Sequence, residues 1–315
     1  MSEPAALRLS VDVGGGLTLR NPVIAASGTF GYGVEFAGIV DLAALGAIVV
    51  KGLSLEPSHG HPAPRLIETS AGMMNAIGLQ NIGVQAFIAT KLPALRAYGT
   101  PVVANCWGSV PEEFAEVAAR LCDAEGVAAI EVNISCPNKR EWDRIIATDL
   151  TMTREVVRAV RHRCRLPLWV KLSPNVTDIA SFARVAEEEG ADAISLINTL
   201  LGMAVDLARR RPALANRTGG LSGPAIKPVA LRMVYDAVHA VRIPVIGIGG
   251  IMSGDDALEF LLIGARAVQV GTASFTDPRA TERIVRELAA GLVGRGFSDV
   301  NAWIGTLGDA GSAPA

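Results

Sequence analysis

The chain has 315 residues, half of them hydrophobic and only 5% aromatic, with a formal net charge of −2 at pH 7. That balance excludes the basic footprint of a nucleic-acid binder, and charges such as Asp41 and Lys51 cut every apolar run short of a membrane span. The opening MSEPAALRLS lacks the charged start and apolar block of a signal peptide, so a cytoplasmic location is expected.

In chain order, the first element is a hairpin in LRLSVDVGGGLTLRNP, turning on Gly14–Gly16. Short apolar runs then alternate with segments of helical period. The predicted strands are Val23–Ala26, Ala47–Val50, Val102–Asn105, Ala129–Ile134, Leu168–Leu172, Ala193–Ile197, Val245–Ile248 and Ala267–Val270. Between them lie helical patterns such as PEEFAEVAARLCDAEG, TREVVRAVRHRC, DIASFARVAEEEG and GDDALEFLLIGA, many opening on Pro, Thr or Asp and closing near Gly.

Strands that are apolar throughout are buried on both faces, which implies a parallel sheet covered by helices. Eight such units over this length predict a single α/β domain spanning 1–315, a (β/α)₈ TIM barrel with an N-terminal hairpin. A doubly wound open sheet is the rival, but AASGTFG after the first strand is not the G-x-G-x-x-G turn that fold wants. The connections 52–83, 135–150 and 199–226 are too long for simple turns. All follow strands, so they are expected over the C-terminal mouth, where barrels of this kind place their chemistry.

The residues at the strand ends are Ser27, Lys51, Asn105, Asn133, Lys171, Asn198, Gly249–Gly250 and Gly271–Thr272. Two buried lysines need compensating charge, either from an anionic ligand or from a neighbouring carboxylate. The pair on strands 2 and 5 together favours a ligand. The Gly-rich ends PVIGIGGI and AVQVGTAS on strands 7 and 8 offer backbone N–H groups where such barrels bind phosphate; the plain alternative is tight turns. Asn75, Asn105, Asn133, Asn138 and Asn198 present amides that can pair with the C=O and N–H edge of a pyrimidine or a flavin, although Asn also favours turns for backbone reasons.

Four cysteines form no C-x-x-C pair, and no iron–sulfur or zinc site is indicated. Cys106, Cys122 and Cys164 read as packing residues. Cys136 stands before Pro137 in NISCPN, which biases it toward extended backbone. In a polar loop at the mouth its thiol can serve as a base or nucleophile. His59 and His61 have a spacing that can ligate a metal, but no third ligand is evident, so no metal is expected.

With these motifs in place, the sequence resembles the class 1 dihydroorotate dehydrogenases, and within them the B subtype. The resemblance rests on LRNPVIAASGTFGYG, VVKGLSLEPSHGHPAPR, GMMNAIGLQNIGV, EVNISCPN, VKLSPN, INTL, GGLSGPAIKP, GIGGI and VQVGTA, in order along most of the chain. It implies oxidation of dihydroorotate to orotate in pyrimidine biosynthesis. Cys136 would take the proton from C5 while hydride leaves C6 for N5 of FMN, with Lys51 contacting both flavin and substrate. It implies substrate contacts from Asn75, Ala76, Ile77, Gly78, Leu79, Asn133, Asn138, Asn198 and Thr199. FMN contacts would come from Ser27, Lys51, Gly52, Asn105, Asn133, Lys171, Ile197, Gly223, Gly249, Gly250, Gly271 and Thr272.

The subtype further implies a homodimer, or a heterotetramer with a separate electron-transfer subunit that carries FAD and a [2Fe–2S] cluster and reduces NAD. The chain departs from the family pattern where KREWDRIIATDL replaces a Gly-rich loop after NISCPN, where His61 stands at a frequent Asn, and at NCWGS. The competing readings are an FMN-dependent reductase of another pyrimidine, a phosphate-binding aldolase with a Schiff base on Lys171, and a non-catalytic subunit.

Overall fold

The computed structural model describes residues 7–135 and 146–309. Cys136 and Asn138 therefore lie outside the described residues. Eight parallel strands close into a barrel: β1 (Val23–Ala25), β2 (Ala47–Val49), β3 (Val102–Cys106), β4 (Val127–Asn133), β5 (Leu168–Lys171), β6 (Ala193–Leu196), β7 (Val245–Ile248) and β8 (Ala267–Val270). Each pairs with its neighbours in chain order, and β8 returns to β1 through Val268↔Val23 and Val270↔Ala25. The expected cores of all eight strands are present, with no end moved by more than two residues.

The helices form where periodic apolar positions coincide with a cap. Pro111–Cys122 opens on Pro111, whose missing N–H costs nothing in the first turn. It buries Phe114, Val117, Ala118 and Leu121 at i, i+3, i+4 and i+7. Leu150–Arg163 begins on Asp149, which accepts from the N–H groups of Thr151 and Met152. Gly254–Leu262 begins with a capping box between Ser253 and Asp256.

The N-terminal hairpin, Val11–Asp12 paired with Thr18–Leu19, lies under the N-terminal ends of the strands. Gly14 and Gly15 touch Asp192, Pro244 and Pro167, which lie just before β6, β7 and β5. At Gly14, φ is +89° and a Cβ would come within 2.1 Å of the Asp192 carbonyl oxygen, so only glycine allows that approach.

At the other end, the structure adds an element the periodicity did not reveal. Connections 52–83 and 199–226 are not irregular loops. They supply a four-stranded antiparallel sheet in the order Leu200–Met203, Thr218–Ser222, Gly72–Asn75, Leu66–Thr69. Met74, Ala76 and Leu214 form a small core of their own beneath it. The central pairing, Gly220↔Asn75, joins residues 145 apart, so no local pattern announces it.

Candidate active site

The barrel mouth and this overlying sheet enclose a cleft of about 1130 Å³, part of it open to solvent. From the barrel, Ser27, Lys51, Gly52, Asn133, Lys171 and Ile197 reach its wall. Asn198 and Thr199 follow β6 onto the same wall, and Gly249, Gly250, Gly271 and Thr272 close it beyond β7 and β8. The overlying sheet and its flanks contribute Asn75, Ile77, Gly78, Leu79 and Gly223. Residues from distant parts of the chain thus meet at one opening.

Two candidates do not reach the wall. Ala76 is 1% exposed and packs into the small core with Met74 and Leu214, because alternation along its strand turns it away from the cleft. Asn105 is 0% exposed and sits one layer below, inside the barrel. Its amide Nδ2 donates to Glu131 Oε1 at 2.7 Å, and its Oδ1 accepts from Asn133 Nδ2 at 3.4 Å.

From Asn133 the hydrogen bonds continue upward. Asn133 Oδ1 accepts from Ser135 Oγ at 3.1 Å, and Ser135 Oγ accepts from Asn198 Nδ2 at 2.9 Å. Asn198 Oδ1 in turn accepts the Thr199 N–H at 2.8 Å. Ser135, fully buried, is the last described residue before the segment carrying Cys136.

The charge accounting for the lysines changes. Lys171, 5% exposed, has a carboxylate partner within the protein: its Nζ lies 3.7 Å from Glu131 Oε1. The ligand is therefore not required to neutralise it. Glu131, Ser195 and Gln269 escaped the sequence reading. Ser195 Oγ and Gln269 Nε2 donate to Glu131 Oε2 at 2.9 and 2.6 Å. Their signal was present, since each is a lone polar residue in the middle of an otherwise apolar strand that must be buried on both faces.

Gly249, Gly250, Gly271 and Thr272 form a rim with a different chemistry. The N–H groups of Gly250, Gly271 and Thr272 donate to no other described residue. Gly250 has φ +73°, and a Cβ there would lie 2.7 Å from Lys227 Cβ and 3.0 Å from the Gly223 carbonyl oxygen. Backbone so placed is a cradle for an anion. Thr272 Oγ1 donates to Ser222 Oγ at 2.9 Å, so this hydroxyl is engaged with a residue that also lines the cleft.

Outside the rim, Lys227 Nζ meets Asp256 Oδ1 at 2.6 Å. Burial alone would raise the Asp256 pKa, but Lys227, the Met252 N–H and the Ser253 side chain outweigh it. They hold the carboxyl below the usual range.

The cysteines divide. Cys106 is fully buried at the end of β3, and burial, with Glu131 nearby, pushes its thiol far above the ordinary range, as suits a packing residue. Cys122 and Cys164, expected as packing residues, are paired as a disulfide. The helices Pro111–Cys122 and Leu150–Arg163 lie side by side and bring the two Cα atoms to 5.8 Å. Among the described residues, no three His, Cys, Asp or Glu side chains gather as metal ligands, and no helix is long and apolar enough to cross a membrane.

Comparison with known proteins gives a consistent result. A sequence model of the family described as dihydroorotate dehydrogenase matches residues 8–292. The chain is 59% identical over 292 residues to the dihydroorotate dehydrogenase B (NAD(+)) catalytic subunit of Citrifermentans bemidjiense, covering 93% of this chain and 96% of that protein. Similar matches at 58% over 299 residues, covering 95% of this chain and 98% of the relative, are the proteins of the same name from Trichlorobacter lovleyi and Geobacter sulfurreducens.

Proposed function

This chain belongs to the dihydroorotate dehydrogenase family, and from that premise we propose that it oxidises dihydroorotate to orotate with FMN held in the barrel mouth. The observation that carries the reading is the convergence on one cleft of an amide-rich wall, two lysines and a Gly-rich backbone cradle. Those are the donors that a flavin's pyrimidine edge and its phosphate need. The cradle fits a phosphate because its N–H groups donate to no other described residue and Gly250 leaves no Cβ in the way.

In this reading FMN, when bound, supplies the acceptor for the hydride leaving C6. The chain supplies the rest. Cys136 as thiolate takes the C5 proton, so two electrons and one proton leave on one side and one proton on the other. Asn75, Asn133, Asn138 and Asn198 hold the substrate by its imide and carboxylate groups, with the backbone from Ala76 to Leu79 and Thr199 closing around it. Lys51, on the cleft wall at the end of β2, places positive charge between substrate and flavin. Lys171 offers its ammonium to the flavin edge where negative charge accumulates.

In this reading the flavin's electrons would pass to a separate subunit carrying FAD and a [2Fe–2S] cluster, which would reduce NAD, with the catalytic chain standing in a homodimer or heterotetramer in the cytoplasm. The name "catalytic subunit" borne by the relatives supports a partner. The aldolase alternative loses ground because Lys171 holds its ammonium against Glu131. A Schiff base needs a free amine, favoured by an apolar or cationic setting.

The test is anaerobic. The purified chain should be yellow, and dihydroorotate should bleach its flavin band, while other reduced pyrimidines leave the band in place. Cys136→Ala should keep the colour and lose nearly all bleaching by dihydroorotate. Bleaching at the wild-type rate in that variant removes Cys136 from the role of base. NAD reduction should appear only when a cluster-bearing second chain is added.

A further inference from the structure

The buried Glu131 takes no part in the chemistry above, yet it is the hub of the barrel's upper interior. It is 0% exposed, and four groups from four other strands converge on it: Asn105 from β3, Lys171 from β5, Ser195 from β6 and Gln269 from β8. Every one of them is a donor. That suits a carboxylate, which accepts at both oxygens and has no proton to place. Gln269 gives its N–H to Glu131 while its own Oε1 is buried with no partner among the described residues, so the carboxylate dictates the orientation of that amide at the cost of another contact. Apolar side chains fill this space in most barrels. A charged hub there calls for a role.

We propose that Glu131 is a positioning residue of the flavin site, acting through Lys171 and through the amides stacked above it. The proposal rests on the FMN reading and names a residue that reading does not use. Two consequences of the geometry carry it. First, Glu131 fixes the donor end of Asn105 downward, which leaves Asn105 Oδ1 facing up to accept from Asn133 Nδ2. Asn133 must then turn its Oδ1 toward Ser135, and Ser135 Oγ accepts from Asn198. One carboxylate at the bottom thus sets which edge of Asn133 and Asn198 is left for a ligand. Second, Glu131 partly cancels the charge of Lys171 in a poorly screened interior, where the pair's field reaches the cleft. The carboxylate lowers the positive potential that a bound flavin meets, and so restrains how readily the flavin takes electrons.

Two variants separate these effects. Glu131→Gln removes the charge and keeps the shape. Its carbonyl can still accept from Asn105, because its new NH₂ can face Gln269, whose Oε1 has no partner among the described residues and can turn toward it, and the Ser195 hydroxyl, which can accept instead of donate. The fold and the amide order are therefore retained, and only the field changes. Glu131→Leu removes both charge and acceptor.

The expected result for Glu131→Gln is a higher flavin midpoint potential and sulfite binding tightened by about tenfold, since sulfite addition places negative charge on the flavin ring. The expected result for Glu131→Leu is FMN binding to apoprotein weakened by about tenfold or more, as Asn105 loses the partner that orients it. Sulfite affinity within about twofold of wild type in Glu131→Gln would refute the proposal, because a purely structural glutamate moves thermal stability alone. If Glu131→Leu fails to fold, the Glu131→Gln measurement still decides. Wild-type apoprotein that takes up no FMN would overturn the flavin reading itself, and this proposal with it. Wild-type FMN uptake with an unchanged Glu131→Gln flavin would overturn this proposal alone.

Discussion

Gly250→Ala tests the cradle with a single methyl group. At φ +73° an alanine carries a left-handed penalty of about 1–2 kcal/mol. Its Cβ would also lie 2.7 Å from Lys227 Cβ and 2.9 Å from the Lys227 backbone nitrogen, neither of which is the yielding tip of a side chain. Restoring ordinary contact at 3.4 Å takes an outward shift of about 0.7 Å. An N–H···O bond of about 2.9 Å stretched by that amount is no longer a hydrogen bond. Losing one bond to a charged phosphate costs about 1.5–3 kcal/mol, or about 10- to 150-fold in affinity.

The assay is fluorescence titration of apoprotein with FMN and, separately, with riboflavin, which lacks the phosphate. FMN affinity should fall by that factor, riboflavin affinity should hold, and the melting temperature should drop by about 2–4 °C. If FMN and riboflavin bind the wild type equally, or if both weaken in parallel in the variant, the glycine rim is not a phosphate cradle.

Three further outcomes follow from other parts of the molecule. Asp256→Asn should lose about 1–2 kcal/mol at pH 7, because Asp256 serves both the helix cap and Lys227. The Asp256 carboxyl is held below its usual range, so its contribution is present above the unfolded value and disappears as pH falls through the folded one. Urea midpoints of wild type and variant should converge below about pH 4, and a gap that stays constant would refute the assignment.

Trp169, fully buried on β5 with its indole N–H unpartnered among the described residues, should tolerate Phe within about 1 kcal/mol, whereas Trp169→Ala should cost about 3–5 kcal/mol by chemical denaturation. Equal losses for the two would show that the indole nitrogen has a hidden partner. Dihydroorotate oxidation should rise toward alkaline pH with a midpoint near the reference thiol value of about 8.5, shifted by its surroundings. Cys136→Ser should move that midpoint well upward, and an unchanged profile would assign the titration to another group.

The barrel was legible in the chain because its strands are short and mostly apolar, and most are followed by a helical segment before the next strand, a pattern that local periodicity reports. The end-of-strand residues were legible for the same reason: a parallel barrel delivers the C-terminal end of every strand to one rim. Ser27, Lys51, Asn133, Lys171, Gly249–Gly250 and Gly271–Thr272 could be placed together once the strands were counted. Ala76 was carried along by its motif, although strand alternation points it into the small core.

What tertiary structure alone decided lies between elements. The mouth sheet pairs residues 145 positions apart, and such register leaves no trace in local periodicity. The neutralisation of Lys171 depended on a glutamate forty residues upstream on the adjacent strand, and Asn105 sits under the cleft rather than on it because the same glutamate claims its amide. Hydrophobic pattern reports which side of a strand avoids water. Which polar groups then find each other inside the closed barrel is set by strand order and stagger, and these exist only after the chain has folded.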